Sequence, residues 1–440
     1  MIARRSVLTF VFQVCQVAAV VGVNIIVTRI TGATGKGIFT LMSLLVTLGT
    51  AFTSLGISWA SIYFIGRRQY PVRDISPTLV TTSLITSAVT DAALIAGFAL
   101  FRHSYFQAVS EAQLVAVLAV VPAVQLTTTL ASMILGGNRP VEFAAVSFVQ
   151  WLVTLALQCA IAIAGHLDPT TALVAWLVGA LVSVGFAVRA LDGLLAWRLG
   201  IDRAALRELL GFGLKGYGAN LLQFFNYRLD SLIVNGLIGI ASVGVYSIAV
   251  SMGEVIWYVA GAFGTVMFPH VSSLERREAD RITPLVSRNV WFLTLVGVVA
   301  MAVVGRWIIQ LVFGQAMLGA VVPLLLLLPG IFSLSGAKIL SSYLSGIGRP
   351  IYATYISGGS LVLTVILDIA LIPKFGIAGA AAASSIVYTI TAAATLAVFR
   401  KESGAGIVET IVIQPQDVSY YMRAARTVAG KFFAPSPAKP

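Results

Sequence analysis

Lys215, Asn220, Gln223, Asn226, Tyr227, Arg228 and Asp230 all fall within one apolar stretch, Gly211 to Gly239, near the middle of the chain. Groups of these types pair charges and exchange hydrogen bonds, and in hydrocarbon they require partners or water. The stretch is long and apolar enough to cross a bilayer, which takes roughly 20 residues. Wound at about 100° per residue, it places Lys215, Asn220, Gln223, Asn226, Tyr227, Asp230 and Ser231 on one broad face, with Arg228 just past its edge. Leu214, Leu221, Phe225, Leu229 and Leu232 fall on the other face. A spanning helix surrounded by lipid has no use for such a stripe, so its polar side must meet other helices or a wet cavity.

Covalent chemistry has little to work with. The two cysteines, Cys15 and Cys159, lie inside apolar runs, and His103, His166 and His270 are scattered at span ends. No disulfide framework, metal cluster or catalytic constellation can be assembled from them. We therefore expect no enzyme activity, no cofactor and no metal.

The elements that position the stripe are membrane spans. Of the 440 residues, 58% are hydrophobic and only 10% charged, and the mean hydropathy is +0.94. Soluble domains carry about 25% charged residues. Continuous apolar runs exclude a transmembrane β-barrel, whose strands alternate. The first run, beginning after Met1–Arg5, is too long for a signal-peptide core and reads as a retained span. Twelve spans parse the chain, at roughly 6–29, 38–65, 77–101, 113–136, 143–165, 169–197, 211–238, 243–268, 287–312, 321–346, 351–373 and 376–399. The fold class is thus an all-α polytopic membrane protein. Loops are short, and a polar tail that we expect to be partly disordered follows Lys401.

Basic residues set the orientation. With a cytoplasmic N-terminus, twenty Lys and Arg face inside and only Arg29, Lys36, Arg102 and Lys374 face outside. Both termini are then cytoplasmic. The net charge of +12 is spread over short loops as a topology signal, which removes the nucleic-acid reading.

The two halves repeat. Gln13, Gln16, Gly32, Gly37, Phe39, Thr40 and Leu41 align with Asn220, Gln223, Gly239, Gly244, Tyr246, Ser247 and Ile248 at one constant offset. Gly136, Arg139 and Pro140 likewise align with Gly346, Arg349 and Pro350. The expected domains are a six-helix lobe over 1–199, a second over 200–400 and the tail over 401–440. An axis along the membrane normal would relate the lobes, with a site at their interface. Ser6, Thr9, Gln13, Gln16 and Asn24 form a polar face on the first span, the counterpart of the stripe in the seventh. The alternative is that both stripes only hydrogen-bond neighbouring helices. The segment Gly32–Gly37 lacks phosphate-loop spacing and follows a span, so it reads as a tight turn.

Several of these residues carry a family resemblance. They are Thr28–Gly32 through Gly37–Phe39, Leu229–Ile233 followed by Val243–Tyr246, Pro269, Gly348–Pro350, and Ile372–Ala380. Over residues 1 to about 400 the chain resembles the polysaccharide-transporter branch of the multidrug/oligosaccharidyl-lipid/polysaccharide exporter (MOP) superfamily. The resemblance implies two six-helix lobes, with spans one, two, seven and eight lining a central cavity that opens alternately to either face. It implies a flippase moving an undecaprenyl-pyrophosphate-linked oligosaccharide to the outer leaflet of the bacterial cytoplasmic membrane. Polysaccharide polymerase or glycosyltransferases would be its partners, and membrane lipid its surroundings. A pyrophosphate-sugar head group needs cations and hydrogen-bonding groups along its path. Arg228 and Lys215 would supply the first; Gln13, Gln16, Asn24, Asn220, Gln223, Asn226 and Tyr227 would supply the second. A cation-coupled multidrug exporter would favour a more acidic and aromatic cavity. The related peptidoglycan-precursor flippases commonly have fourteen spans.

Asp230 is the acid best placed to hold a coupling proton or sodium ion, or to pair with a cation across the cavity. Glu254, on a span expected to line the cavity, is the second candidate. Asp91 and Asp368 lie on spans outside the expected lining and read as packing residues. Lys338, among Ser333, Ser335, Ser341 and Ser342, reads equally as a relay or a packing residue.

Overall fold

The computed structural model describes residues 2–196, 198–415 and 417; side chains of 2–7, 215, 216, 219, 220 and several positions within 259–273 lie outside the description. Among the described residues every regular element is helical. The first half holds α1 (Ile2–Ser54), α2 (Ile57–Gly66), α3 (Val72–Phe101), α4 (Glu111–Gly136), α5 (Pro140–Ile163) and α6 (Pro169–Ala190). The second holds α7 (Arg203–Ile238), α8 (Ile240–Ser273), α9 (Arg276–Ile308), α10 (Val321–Gly346), α11 (Ile351–Phe375), α12 (Ile377–Ser403) and the short α13 (Ile407–Ile411). Ten helices among the described residues are long and apolar enough to cross a membrane. The first of these runs through two of the expected spans.

Local chemistry starts the helices where the sequence allows. Ser110 and Gln113 form a reciprocal capping box at α4, and Asp168 and Thr171 form another at α6. The Asp202 carboxylate accepts from the N–H groups of Ala204 and Ala205 at 2.9 and 3.1 Å and opens α7. Pro140 sits in the first turn of α5, where its missing N–H costs nothing.

Two expected boundaries differ. The tight turn foreseen over Gly32–Gly37 is a kink at a single residue, Gly32, with φ 68° and ψ −165°. Its repeat partner Gly239 has φ 97° and ψ 171° and separates α7 from α8. Both lie in a region open essentially to glycine alone, so the repeat extends to backbone geometry. The second difference lies in the span expected at 38–65, which breaks at Leu55 (φ 42°) and Gly56 (φ 73°). There the backbones of Gly56 and Gly213 meet: a Cβ on Gly56 would lie 2.5 Å from the Gly213 carbonyl oxygen. That approach is a tertiary event with no signature in hydropathy.

The chain packs as two compact units. Unit 1 comprises Met1–Ala249, Trp307–Val321 and Val365–Ala380; unit 2 comprises Val250–Arg306, Val322–Thr364 and Ala381–Pro440. Segments of the second half, α7 among them, thus group with the first half in unit 1. Unit 1 holds the clusters around Val27, Met42, Val117 and Leu173, and around Ile75, Met133 and Leu209. Apolar burial is a weak force between helices in lipid, so buried hydrogen bonds supply specificity. Ser61 and Ser132 share one at 2.7 Å, Thr53 donates to Gln125 at 3.0 Å, and Ser183 donates to the Val146 carbonyl at 2.7 Å.

Unit 2 packs around Trp291, Leu340, Tyr343 and Phe399. Its charged end is stapled by carboxylates. Glu402 accepts from Arg276 at 3.2 Å and from Arg349 at 2.6 Å. Beyond α12 the chain turns back, and Asp417 accepts from Nε and Nη2 of Arg288, at 2.6 and 2.9 Å. The tail foreseen from Lys401 therefore begins as a docked segment; residues 418–440 lie outside the described set.

Candidate functional site

In α7 the broad polar face is only partly exposed. Gln223 is exposed and donates to the Tyr227 phenol at 3.0 Å, one helical turn away. Tyr227 and Arg228 are half-buried, and Asn226 is buried. Lys215 and Asn220 lie on the helix, but their side chains fall outside the described residues. On α1, Gln13 is exposed and Gln16 half-buried. Asn24 is already engaged: its Oδ1 accepts from the Lys36 ammonium, while its Nδ2 donates to the Val20 carbonyl at 2.8 Å. Lys36 is 3% exposed, so a buried cation has found the nearest amide acceptor.

Asp230 is buried, at 2% exposure. One carboxylate oxygen accepts from the Tyr246 phenol at 2.6 Å, the other from the Ser231 N–H at 2.6 Å. Tyr246 is fully buried on α8. The first repeat has Val23 and Phe39 at these two positions, equally buried. A purely apolar pair in one half thus corresponds to a hydrogen-bonded acid and phenol in the other.

A second acid joins it. Asp368 on α11 is 0% exposed and lies within electrostatic reach of Asp230. Among the described residues neither Asp368 oxygen has a hydrogen-bond partner. The two buried carboxylates thus stand in each other's field, with Asp230 already hydrogen-bonded to Tyr246. The sequence reads Asp368 as a packing residue on a span outside the expected lining, and its nearness to Asp230 was not foreseen. Its lone charge in an apolar run was the available signal.

Glu254 falls in unit 2. There it is half-buried and within electrostatic reach of Lys338, whose ammonium sits 3.9 Å from the centre of the Trp257 ring. Trp257 in turn donates to the Ile331 carbonyl at 3.1 Å.

Unit 1 also contains a seam between the first-half helices and segments of the second half. Thr40 donates to Ser247 at 3.2 Å, although the two are 207 residues apart and are repeat partners. Gly37 and Gly244, the neighbouring pair, meet backbone to backbone: a Cβ on either would lie 1.9 or 2.0 Å from a carbonyl oxygen opposite. Equivalent residues of the two repeats thus touch each other here. The seam continues where Arg29 donates to the carbonyls of Leu311 and Val312, the latter at 2.7 Å. Tyr105 closes it by donating to the Leu232 carbonyl, while Asn235 donates to the Tyr105 carbonyl at 3.0 Å. Neither Arg29 nor Tyr105 was singled out by sequence as a contact residue. At the other end of α7, Gln69 and Tyr70 both donate to Glu208. That bond, and burial after it, pushes the Tyr70 phenol above its ordinary pKa.

Residues 26–322 match the family model described as polysaccharide biosynthesis protein. An uncharacterized membrane protein of Methanocaldococcus jannaschii is 29% identical over 43% of this chain, a match spanning only 38% of its own length. A probable flippase of Haloferax volcanii, AglR, is 25% identical over 88% of this chain and 81% of its own. Among solved structures, the lipid II flippase MurJ in an inward closed conformation superposes with a TM-score of 0.74, at 13% identity, over 91% of this chain and 89% of that one. An inward-facing multidrug resistance MATE transporter of the MOP superfamily gives 0.69 at 14% identity, over 90% of this chain and 98% of that one. The chain therefore belongs to the polysaccharide biosynthesis protein family, as a multi-pass membrane protein with the helical fold of MOP-superfamily transporters.

Proposed function

We propose that the protein is a flippase that carries a lipid-linked oligosaccharide from the cytoplasmic to the outer leaflet, by alternating access, for surface polysaccharide assembly. The observation that carries this reading is the polar face of α7 in a member of a polysaccharide biosynthesis family. Arg228 and Lys215 meet the pyrophosphate, and Gln13, Gln16, Asn220, Gln223, Asn226 and Tyr227 meet the sugars. Asn24 contributes through Lys36, its present partner. Asp230 and Asp368 bind the coupling proton or cation, since a buried carboxylate pair changes net charge on loading. Glu254 serves as a second titratable group. Two six-helix lobes, over 1–199 and 200–400, would do the rocking. The protein sits in the cytoplasmic membrane with both termini inside, and works beside glycosyltransferases or a polysaccharide polymerase.

The test is transport in proteoliposomes of a fluorescent polyprenyl-pyrophosphate oligosaccharide, a lipid II analogue and a cationic dye. We expect only the first to move at an appreciable rate, and Arg228→Ala to stop it. Movement of lipid II alone would favour a peptidoglycan-precursor flippase, the reading supported by the MurJ-like fold. Dye export alone would favour a multidrug exporter.

A further inference from the structure

Away from α7, the helices α3, α4 and α6 and the connection after α6 enclose a half-open cavity of about 290 Å3. Val80, Leu126, Leu130, Val188 and Leu199 form its apolar walls, and Arg198 stands among its lining residues. Val80 lies two turns into α3 and Val188 in the last turn of α6, so the mouth is at the level where these spans end. Leu126 and Leu130 lie about one turn apart on α4, about 6 Å along its axis. The cavity thus runs from a charged loop into the depth of the helices.

The loop that carries Arg198 is built, not slack. Ala196 N–H donates to Ser76 Oγ at 3.1 Å, Gly200 N–H to Thr81 Oγ1 at 3.0 Å, and Asp202 N–H to Thr78 Oγ1 at 2.9 Å. Three hydroxyls of α3 hold the backbone on both sides of the arginine. Among the described residues Arg198 makes no ion pair. Its neighbours Arg203 and Arg207 keep this end of the membrane basic.

We propose that this cavity binds a membrane phospholipid with an anionic head group: the phosphate on Arg198, one acyl chain along Leu126 and Leu130. The two features exclude simpler ligands. A free phosphate gains nothing from the apolar walls, and a zwitterionic lipid brings an ammonium that offsets its phosphate at the arginine. A basic pocket between helices at the anionic leaflet satisfies both ends of a phospholipid. The site makes no use of the transport stripe and stands whether or not the proposed cargo is right.

The test uses full-length protein in detergent, with lipids added in turn and retention read by native mass spectrometry. We expect phosphatidylglycerol to be retained about fivefold over phosphatidylcholine, the worth of one arginine at an anionic surface. Arg198→Gln should bring the ratio near one, Arg198→Lys should keep most of it, and Leu126→Phe should lower retention of both lipids. In unmodified protein the preference should shrink as salt rises. An equal ratio in unmodified protein, or an unchanged one in Arg198→Gln, overturns the site. So does displacement by inorganic phosphate, which would make it a bare anion site. Displacement by polyprenyl phosphate at lower concentration than phosphatidylglycerol would assign the groove to the cargo's tail instead, and also overturns it.

Discussion

Gly37→Ala tests the seam between the two repeats most directly. The added methyl would lie 1.9 Å from the Ile240 carbonyl oxygen, and ordinary contact begins near 3.4 Å. The two backbones must therefore part by about 1.5 Å, and neither is the end of a flexible side chain that could swing aside. Overpacking of this kind costs about 1–3 kcal/mol. If that cost falls only on the closed seam, the closed-to-open ratio drops roughly 5- to 150-fold. The assay is a disulfide between Thr40→Cys and Ser247→Cys, whose hydroxyls are 3.2 Å apart, in a chain with Cys15 and Cys159 replaced. We expect oxidation to cross-link the parent quickly and the alanine variant at least several-fold more slowly. Gly218→Ala, with open space around its Cβ, is the control and should cross-link like the parent. Equal rates for Gly37→Ala and the parent, with both monodisperse, would refute the claim that backbone contact closes this seam.

Four further outcomes follow from the geometry. Tyr246→Phe removes the phenol donor to buried Asp230 and should cost about 1.5–3 kcal/mol of thermal stability; an unchanged melting temperature would mean that the carboxylate has a substitute donor. Asp368→Asn should abolish the dependence of flipping on the ion gradient while leaving cargo binding intact, measured as retention of labelled cargo against transport in the same liposomes. Arg288 holds the Asp417 carboxyl below its usual pKa, so the pair adds stability above the unfolded carboxylate range, and this is lost as pH falls through the lower folded value. Asp417→Asn should thus destabilise at pH 7 and make no difference in strong acid; a loss of equal size at both pH values would rule out the ionic contribution. For topology, cysteines at exposed Thr34 and Lys374 should react with an impermeant reagent from outside, and labelling only after permeabilisation would invert the orientation.

Hydropathy carried the helical membrane class, because each span must satisfy its own backbone and so declares itself as a continuous run. The offset between halves was legible for a similar reason. It depends on glycines whose backbone has no alternative, and Gly32 and Gly239 do share one unusual conformation. The break at Gly56 was hidden, since only the opposing backbone of Gly213 explains it. At the candidate site, Asp230 stood out as charge in an apolar run, but its partner did not. Tyr246 entered only as a repeat and motif position, and Asp368 only as a lone acid on an outer span. Asn24 and Lys36 were assigned to opposite roles, cargo ligand and loop charge, and the fold joins them. Contacts between distant segments set those roles, and spacing along the chain does not encode them.

The replacement of Val23 and Phe39 by Asp230 and Tyr246 constrains how two such halves can diverge. A carboxylate introduced alone into the apolar pair would be buried without its donor, whereas a lone phenol costs only an unsatisfied hydroxyl. The cheaper route therefore changes phenylalanine to tyrosine before valine to aspartate, and the reverse route to an apolar pair removes the acid first. Exchanging only the segment before or only the segment after the paired glycines Gly32 and Gly239 strands one member of the pair. Chimeras built from this chain should tolerate exchange of both segments together, and reject either alone.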